Sequence, residues 1–221
     1  MAYGVGFAIP LVGLAYVVRS RFDPVLRFDE AMIASGTAIT REHPDLFAAL
    51  IVWEEMLQPR WVYLVATLVC VWVWRRFGLT SRAIWAFVTM MACWNVALDL
   101  KYVVQRARPV VEDALTHAPG YSFPSGHAAN SAAAASAVVV LLWPLLKGRA
   151  CVAAIGLAAT VVVATAVDRV LLGVHYPSDV IAGVILGVGM VLASYAGYLG
   201  WNPKPTDAEP MHDPTMDPGQ V

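Results

Sequence analysis

The stretch DRVLLGVHYPSD, residues 168–179, sits where one long apolar run ends and another begins. Arg169 is the only cation inside either run, and His175 and Asp179 follow within the same short stretch. A charge at membrane depth is costly and usually marks a functional path. Two earlier stretches lie at the ends of apolar runs in the same way: KYVVQRARP at residues 101–109 and YSFPSGH at residues 121–127.

Of the 221 residues, 59% are hydrophobic and 14% charged, with a mean hydropathy of +0.63. These are values for a chain whose solvent is a bilayer rather than water. A net charge of −1 argues against nucleic acid, where binding relies on a surplus of Lys and Arg to neutralise phosphates. Cys70, Cys93 and Cys151 lie in apolar stretches with no CxxC or Cys/His cluster. Neither a zinc site nor a disulfide scaffold is indicated, and the three read as packing residues. The first apolar run, up to Val18, lacks a cationic n-region and a small-residue cleavage site, so it reads as a retained span and not a signal peptide.

Six apolar runs predict an all-α, six-transmembrane-helix bundle: residues 2–18, 61–74, 83–100, 127–146, 150–167 and 180–198. Against the roughly 20 residues that a span needs, the first is short. Between the first and second spans, residues 22–60 interleave charges with apolar positions such as Phe28, Met32, Leu46 and Leu50, punctuated by Pro24, Pro44 and Pro59. This spacing predicts two amphipathic helices at the membrane interface; a small insertion packed on the bundle is the alternative. The alanine-rich run NSAAAASA (residues 130–137) and Gly183, Gly187 and Gly189 predict close helix approach. Trp53, Trp61, Trp72, Trp74, Trp85 and Trp143 are expected as interfacial anchors. Residues 1–201 read as one membrane domain, and residues 202–221, with five prolines and four acids, as a disordered tail.

Six spans put both termini on one side. The short loops there hold Arg75, Arg76, Arg82, Lys147 and Arg149, whereas the opposite short loops hold, outside the candidate motifs, only Arg106. The positive-inside rule therefore places the termini in the cytoplasm of a multi-pass cell-membrane protein, and the three polar stretches toward the periplasm or exterior. Five cations in residues 19–60 weigh against this orientation without reversing it.

Lys101 and Arg108 are seven positions apart, two turns along one face if the helix continues, and Pro109 would end it. Alternatively, Lys101 snorkels and pairs with Asp99 while Arg108 is an ordinary loop cation. Ser125 and Gly126 precede a long helix, where free amides and the dipole make an anion site; a plain Ser125 N-cap with His127 a bystander is the simpler account. His175 is the candidate nucleophile, with Asp179 fixing its tautomer from a helix opened by Pro177. His127 is the candidate general acid. Lys101, Arg108 and Arg169 would hold the oxygens of a transferring phosphoryl group. His43, His117 and His212 have no evident partners. Glu54 and Glu55 point about 100° apart on a helix and read as a charged amphipathic face.

The three stretches together resemble the type 2 phosphatidic acid phosphatase (PAP2) family, of the membrane lipid phosphatase and vanadium haloperoxidase superfamily. Lys-x6-Arg-Pro corresponds to Lys101, Arg108 and Pro109; Pro-Ser-Gly-His to residues 124–127; Ser-Arg-x5-His-x3-Asp to Arg169, His175 and Asp179, with Asp168 where the pattern has serine. The motifs cover residues 100–183, and the span layout extends the likeness to residue 61. The resemblance implies a phosphohistidine at His175, His127 as general acid, Ser125 and Gly126 among the phosphate contacts, and no metal or other cofactor. It implies a membrane lipid phosphatase acting on polyprenyl diphosphate, phosphatidic acid or phosphatidylglycerol phosphate. A lipid phosphotransferase or a non-catalytic lipid-phosphate transporter would present the same cations. Oligomeric state is left open.

Overall fold

Proline opens four of the helices, where its missing N–H would have had no partner in any case. The computed structural model describes residues 2–110, 115–116 and 118–201; His117 and the tail from Asn202, including His212, lie outside them. Eight α-helices follow in order: α1 (Ala2–Arg19), α2 (Asp23–Glu42), α3 (Pro44–Met56), α4 (Pro59–Phe77), α5 (Thr80–Val104), α6 (Gly126–Leu142), α7 (Arg149–Leu171) and α8 (Pro177–Trp201). No strand occurs among the described residues.

The six expected spans correspond to α1 and α4–α8. Four of these helices, α5 to α8, are long and apolar enough to cross a bilayer, with α6 extended through its last turn. A fifth candidate arises if α3 and α4, bent by 51° at their junction, count as one broken span, and the described apolar part of α1 is the shorter Ala8–Arg19. Of the six expected spans, the described apolar part of α1 is shorter than the others, and Arg60, Arg75 and Arg76 within α4 dilute its apolar character. The chain is a multi-pass helical protein of four or five apolar candidate spans.

At the centre stands α6, packed against α4, α5, α7 and α8. Its contact with α8 is made by backbone. A Cβ on Gly187 would lie 2.4 Å from the Ala129 carbonyl oxygen and 2.8 Å from Ala132 Cβ, and one on Gly183 would lie 2.7 Å from the Ser125 carbonyl oxygen. The Ser125 amide donates to the Asp179 carbonyl at 2.9 Å, so the N-termini of α6 and α8 are joined directly.

Two further expectations are revised, the reach of α5 and the interfacial place of Trp85. The α5 helix stops at Val104, where Gln105 takes a left-handed conformation (φ 53°), and Arg19 donates to the freed Val103 and Val104 carbonyls at 2.8 and 3.3 Å. Arg108 therefore lies beyond the helix instead of two turns along it; a residue preceding proline is disfavoured in helical backbone. The α2 helix is held by the bundle, packed on α7 and α8 with Asp29, Ile33, Gly36, Thr37 and Thr40 buried. Thr40 donates to the Leu171 carbonyl at 2.9 Å. Trp85 is a core residue, 9% exposed, donating to Ser194 Oγ at 3.2 Å, whereas Trp61, Trp72, Trp74 and Trp143 are exposed.

Replacing Gly187 with alanine forces α6 and α8 apart. Overpacking of this kind costs about 1–3 kcal/mol, so Gly187→Ala should lower the Tm of the detergent-solubilised protein. Gly156→Ala on α7, where a Cβ meets nothing within 4 Å, should not.

Candidate active site

Polar side chains from six helices and two loops meet where α6 and α8 begin. His175, 3% exposed, lies in the short loop between α7 and α8. Its Nε2 is 3.1 Å from Arg108 Nη1, and its Nδ1 is 3.3 Å from Ser122 Oγ. Arginine can only donate, so Nε2 is the acceptor and, in the neutral ring, Nδ1 carries the hydrogen. Burial, reinforced by Arg108 and Lys101 and opposed by Asp179, pulls the His175 pKa down to about 4. At neutral pH the ring is an uncharged imidazole.

Asp179, fully buried in the first turn of α8, was expected to bond His175 directly. The separation from His175 Nδ1 is 3.8 Å, and Ser122 stands between, its hydroxyl donating to Asp179 Oδ2 at 2.5 Å. The same oxygen accepts the Tyr176 amide at 3.0 Å. Oδ1 accepts from Arg106 Nη1 at 2.6 Å, and Arg106 Nη2 donates to Asp29 of α2 at 2.7 Å.

The two cations of the first stretch act as clamps on neighbouring loops. Lys101 donates to the Tyr121 and Pro124 carbonyls at 2.8 and 3.0 Å, and not to Asp99. Arg108 donates to the Pro119, Gly120 and Val174 carbonyls at 3.0, 3.1 and 2.8 Å. Burial lowers the Arg108 pKa. Among the described residues neither cation forms an ion pair with a carboxylate, unlike Arg169, which donates to Glu54 at 2.7 Å and to Asp168 through both Nε, at 2.8 Å, and Nη2.

Ser125 is the N-cap of α6, its Oγ 3.5 Å from the Ala128 amide, which agrees with the simpler account of that residue. Beside it, the Cα of Gly126 faces open space. The His127 Nε2, the Asn130 Oδ1 and the Asp168 Oδ1 are buried with no hydrogen-bond partner among the described residues. The His43 ring, between α2 and α3, has its Nδ1 2.9 Å from the Ile39 carbonyl oxygen of α2.

Lys101, Arg108, Ser125, Gly126, His127, Arg169, His175 and Asp179 thus converge at one end of the bundle. Sequence reasoning missed Asp29, Arg106 and Ser122, and it misread Glu54, which is the ion-pair partner of Arg169 while Glu55 pairs at the surface with Arg60. For Arg106 a signal existed, a cation two positions before Arg108 inside the first motif. For Asp29, one acid among several in residues 23–30, there was none.

The family model described as the PAP2 superfamily matches residues 82–202. The chain belongs to the PAP2 superfamily. Over 107 residues this PAP2 chain is 39% identical to decaprenylphosphoryl-5-phosphoribose phosphatase of Mycobacterium tuberculosis, covering 46% of this chain and 54% of that protein. Over 92 residues it is 35% identical to phosphatidylglycerophosphatase B of Bacillus subtilis, covering 40% and 44%. It thus matches about half the length of these relatives. The crystal structure of a transmembrane PAP2 type phosphatidylglycerolphosphate phosphatase from Bacillus subtilis shares the fold, with a TM-score of 0.79 at 21% identity over 95% of this chain and all of that one. The PAP2 match takes in all three motifs and Arg106, but neither Asp29 nor Glu54.

The tautomer is directly testable. Nitrogen NMR of histidine-labelled protein should show His175 neutral and protonated at Nδ1 at pH 6, where an ordinary histidine is largely charged; an imidazolium there would overturn the assignment.

Proposed function

We propose that this PAP2 chain is an integral membrane lipid phosphatase that hydrolyses a lipid phosphate or diphosphate through a phosphohistidine at His175. The observation carrying this reading is the orientation of the ring, whose Nδ1–H faces Ser122 and Asp179 while the Nε2 lone pair faces Arg108. An imidazole nucleophile needs a lone pair at one nitrogen, which here passes from Arg108 to phosphorus, and an acceptor at its other nitrogen as positive charge develops.

In the first half-reaction Nε2 forms a bond to phosphorus and the bond from phosphorus to the leaving oxygen breaks, its electron pair going to that oxygen. His127, with Nε2 buried and unpartnered, supplies the proton to the departing alkoxide or phosphate. Water then attacks phosphorus, the N–P bond breaks back to neutral His175, and His127 recovers its proton from the water. Lys101 and Arg108 provide the charge for the equatorial oxygens, joined by the amides near Ser125 and Gly126. Arg169, already between two carboxylates, borders the site and contributes less net charge. The scheme assigns no step to a metal ion or other cofactor.

The lipid nature of the substrate is supported by an apolar groove of about 430 Å³ between α4, α6 and α7. It starts at Ser131, one turn along α6 from His127, and is lined by residues such as Val65, Val69, Val138 and Leu157. A tail lying there reaches the site sideways from the bilayer. Both named relatives are phosphatases of lipid-borne phosphates, one polyprenyl-linked and one a phosphatidylglycerophosphatase. Polyprenyl diphosphate is our first choice, with phosphatidic acid and phosphatidylglycerol phosphate next. The layout proposed is six spans, α1 and α4 to α8, in one domain of residues 1–201, with cytoplasmic termini and the site facing the periplasm or exterior.

Phosphate release from those three lipids, with a chelator present, tests the proposal. His175→Asn should reduce it by about 10³-fold or more, as loss of a covalent nucleophile does. Phosphorylated acceptor in place of free phosphate would indicate a transferase, and unimpaired release by His175→Asn would remove the proposed intermediate. The pH dependence has a definite sign. Protonation abolishes the nucleophile, and with the His175 pKa held at about 4 kcat/KM should keep its plateau down through pH 6 and fall only as pH approaches 4. An acid limb centred near 6.5 would contradict it.

A further inference from the structure

Asp29 is fully buried on a helix that carries none of the three motifs, and its position is costly unless its charge is used. Every contact it makes points at the His175 pair. Oδ1 accepts the Ser178 amide at 3.0 Å; Oδ2 accepts the Ser178 hydroxyl at 2.5 Å and Arg106 Nη2 at 2.7 Å. Arg106, its side chain 8% exposed, uses its other nitrogen on Asp179 Oδ1 and Ser178 Oγ, at 2.6 and 2.7 Å. Its guanidinium is also stacked 4.0 Å from the Tyr176 ring centroid. The guanidinium is therefore shared between two carboxylates, with Tyr176 against one face.

We propose that Asp29, acting through Arg106, is a positioning residue for the His175–Asp179 pair, so that α2 belongs to the catalytic apparatus. Arg106 reaches only one oxygen of Asp179 because its second nitrogen is committed to Asp29. That leaves Asp179 Oδ2 to Ser122 and, through Ser122, to the His175 ring. With Asp29 neutral, both guanidinium nitrogens are free to chelate Asp179 in the bidentate geometry that arginine and carboxylate favour. This draws Oδ2 away from Ser122, and the charge developing on His175 during N–P bond formation loses its acceptor. The substrate phosphate, held by Lys101 and Arg108, is untouched, so the defect falls on turnover and not on binding.

This inference rests on the phosphohistidine reading, and the test separates the two. Phosphate release is measured for the full chain in detergent, using whichever lipid of the panel wild type hydrolyses, beside the Tm of each variant. Asp29→Asn should lower kcat at least tenfold with KM within twofold. If Asp29→Asn fails to fold, Arg106→Lys is measured instead; it keeps the positive charge between the two carboxylates but lacks the rigid fork that holds both of them. It should show the same loss of kcat, because Asp179 Oδ1 is no longer fixed and Oδ2 loses its alignment on Ser122. A folded form of either variant with kcat within twofold of wild type, or with the loss confined to KM, overturns the proposal. His175→Asn in the same series is the separate control: undiminished release there removes the phosphohistidine reading itself, and this inference with it.

Discussion

The approach of α6 to α8 is the constraint on which the polar end of the molecule depends. Lipid offers no hydrophobic drive for two apolar helices to meet, so their separation is set by how small the facing side chains are. Here Gly183 and Gly187 lie against the backbone of Ala129 and Ala133, and the bond from the Ser125 amide to the Asp179 carbonyl closes the contact. The consequence is electrostatic. Two helix N-termini, each presenting the positive end of its dipole, stand side by side, and helix packing brings the second and third motifs into register.

Concentrating positive charge in this way would be prohibitive without compensation, and the compensation is uneven. Arg106 sits between Asp29 and Asp179, and Arg169 between Asp168 and Glu54. Lys101 and Arg108, by contrast, are bonded to backbone carbonyls and a neutral histidine. Carbonyls orient a cation without cancelling its charge. On the proposed reading, a phosphate at the site meets two cations held in place but not neutralised, beside guanidinium groups whose charge is already balanced.

This division explains what the sequence could and could not disclose. The helices were legible because length, apolar content and proline or glycine punctuation act locally, and the motif residues were legible because their types and spacings are unusual beside apolar runs. The end of α5 was not, since it depends on Arg19, more than eighty residues away, taking up the Val103 and Val104 carbonyls. Asp29 and Glu54 were not either. An acid on a helix of mixed polarity reads as a solvated face until the partner that buries it is known, and those partners, Arg106 and Arg169, lie 77 and 115 positions away.

The aspartate at 168, where the family pattern has serine, fits the same balance. A serine would leave Arg169 opposed by Glu54 alone, a pair with no net charge. Asp168 adds a second carboxylate, which the guanidinium grips through Nε and Nη2, and Arg169 becomes an internal strut tying α7 to α3. The burden of charge then shifts to Lys101 and Arg108, and the loops these two clamp, at residues 119–124 and 172–176, are the ones that carry Ser122 and His175. On the proposed reading the cations available to a phosphate are also the ones that hold the proposed nucleophile, His175, in place, so binding charge and ring orientation are set by the same hydrogen bonds.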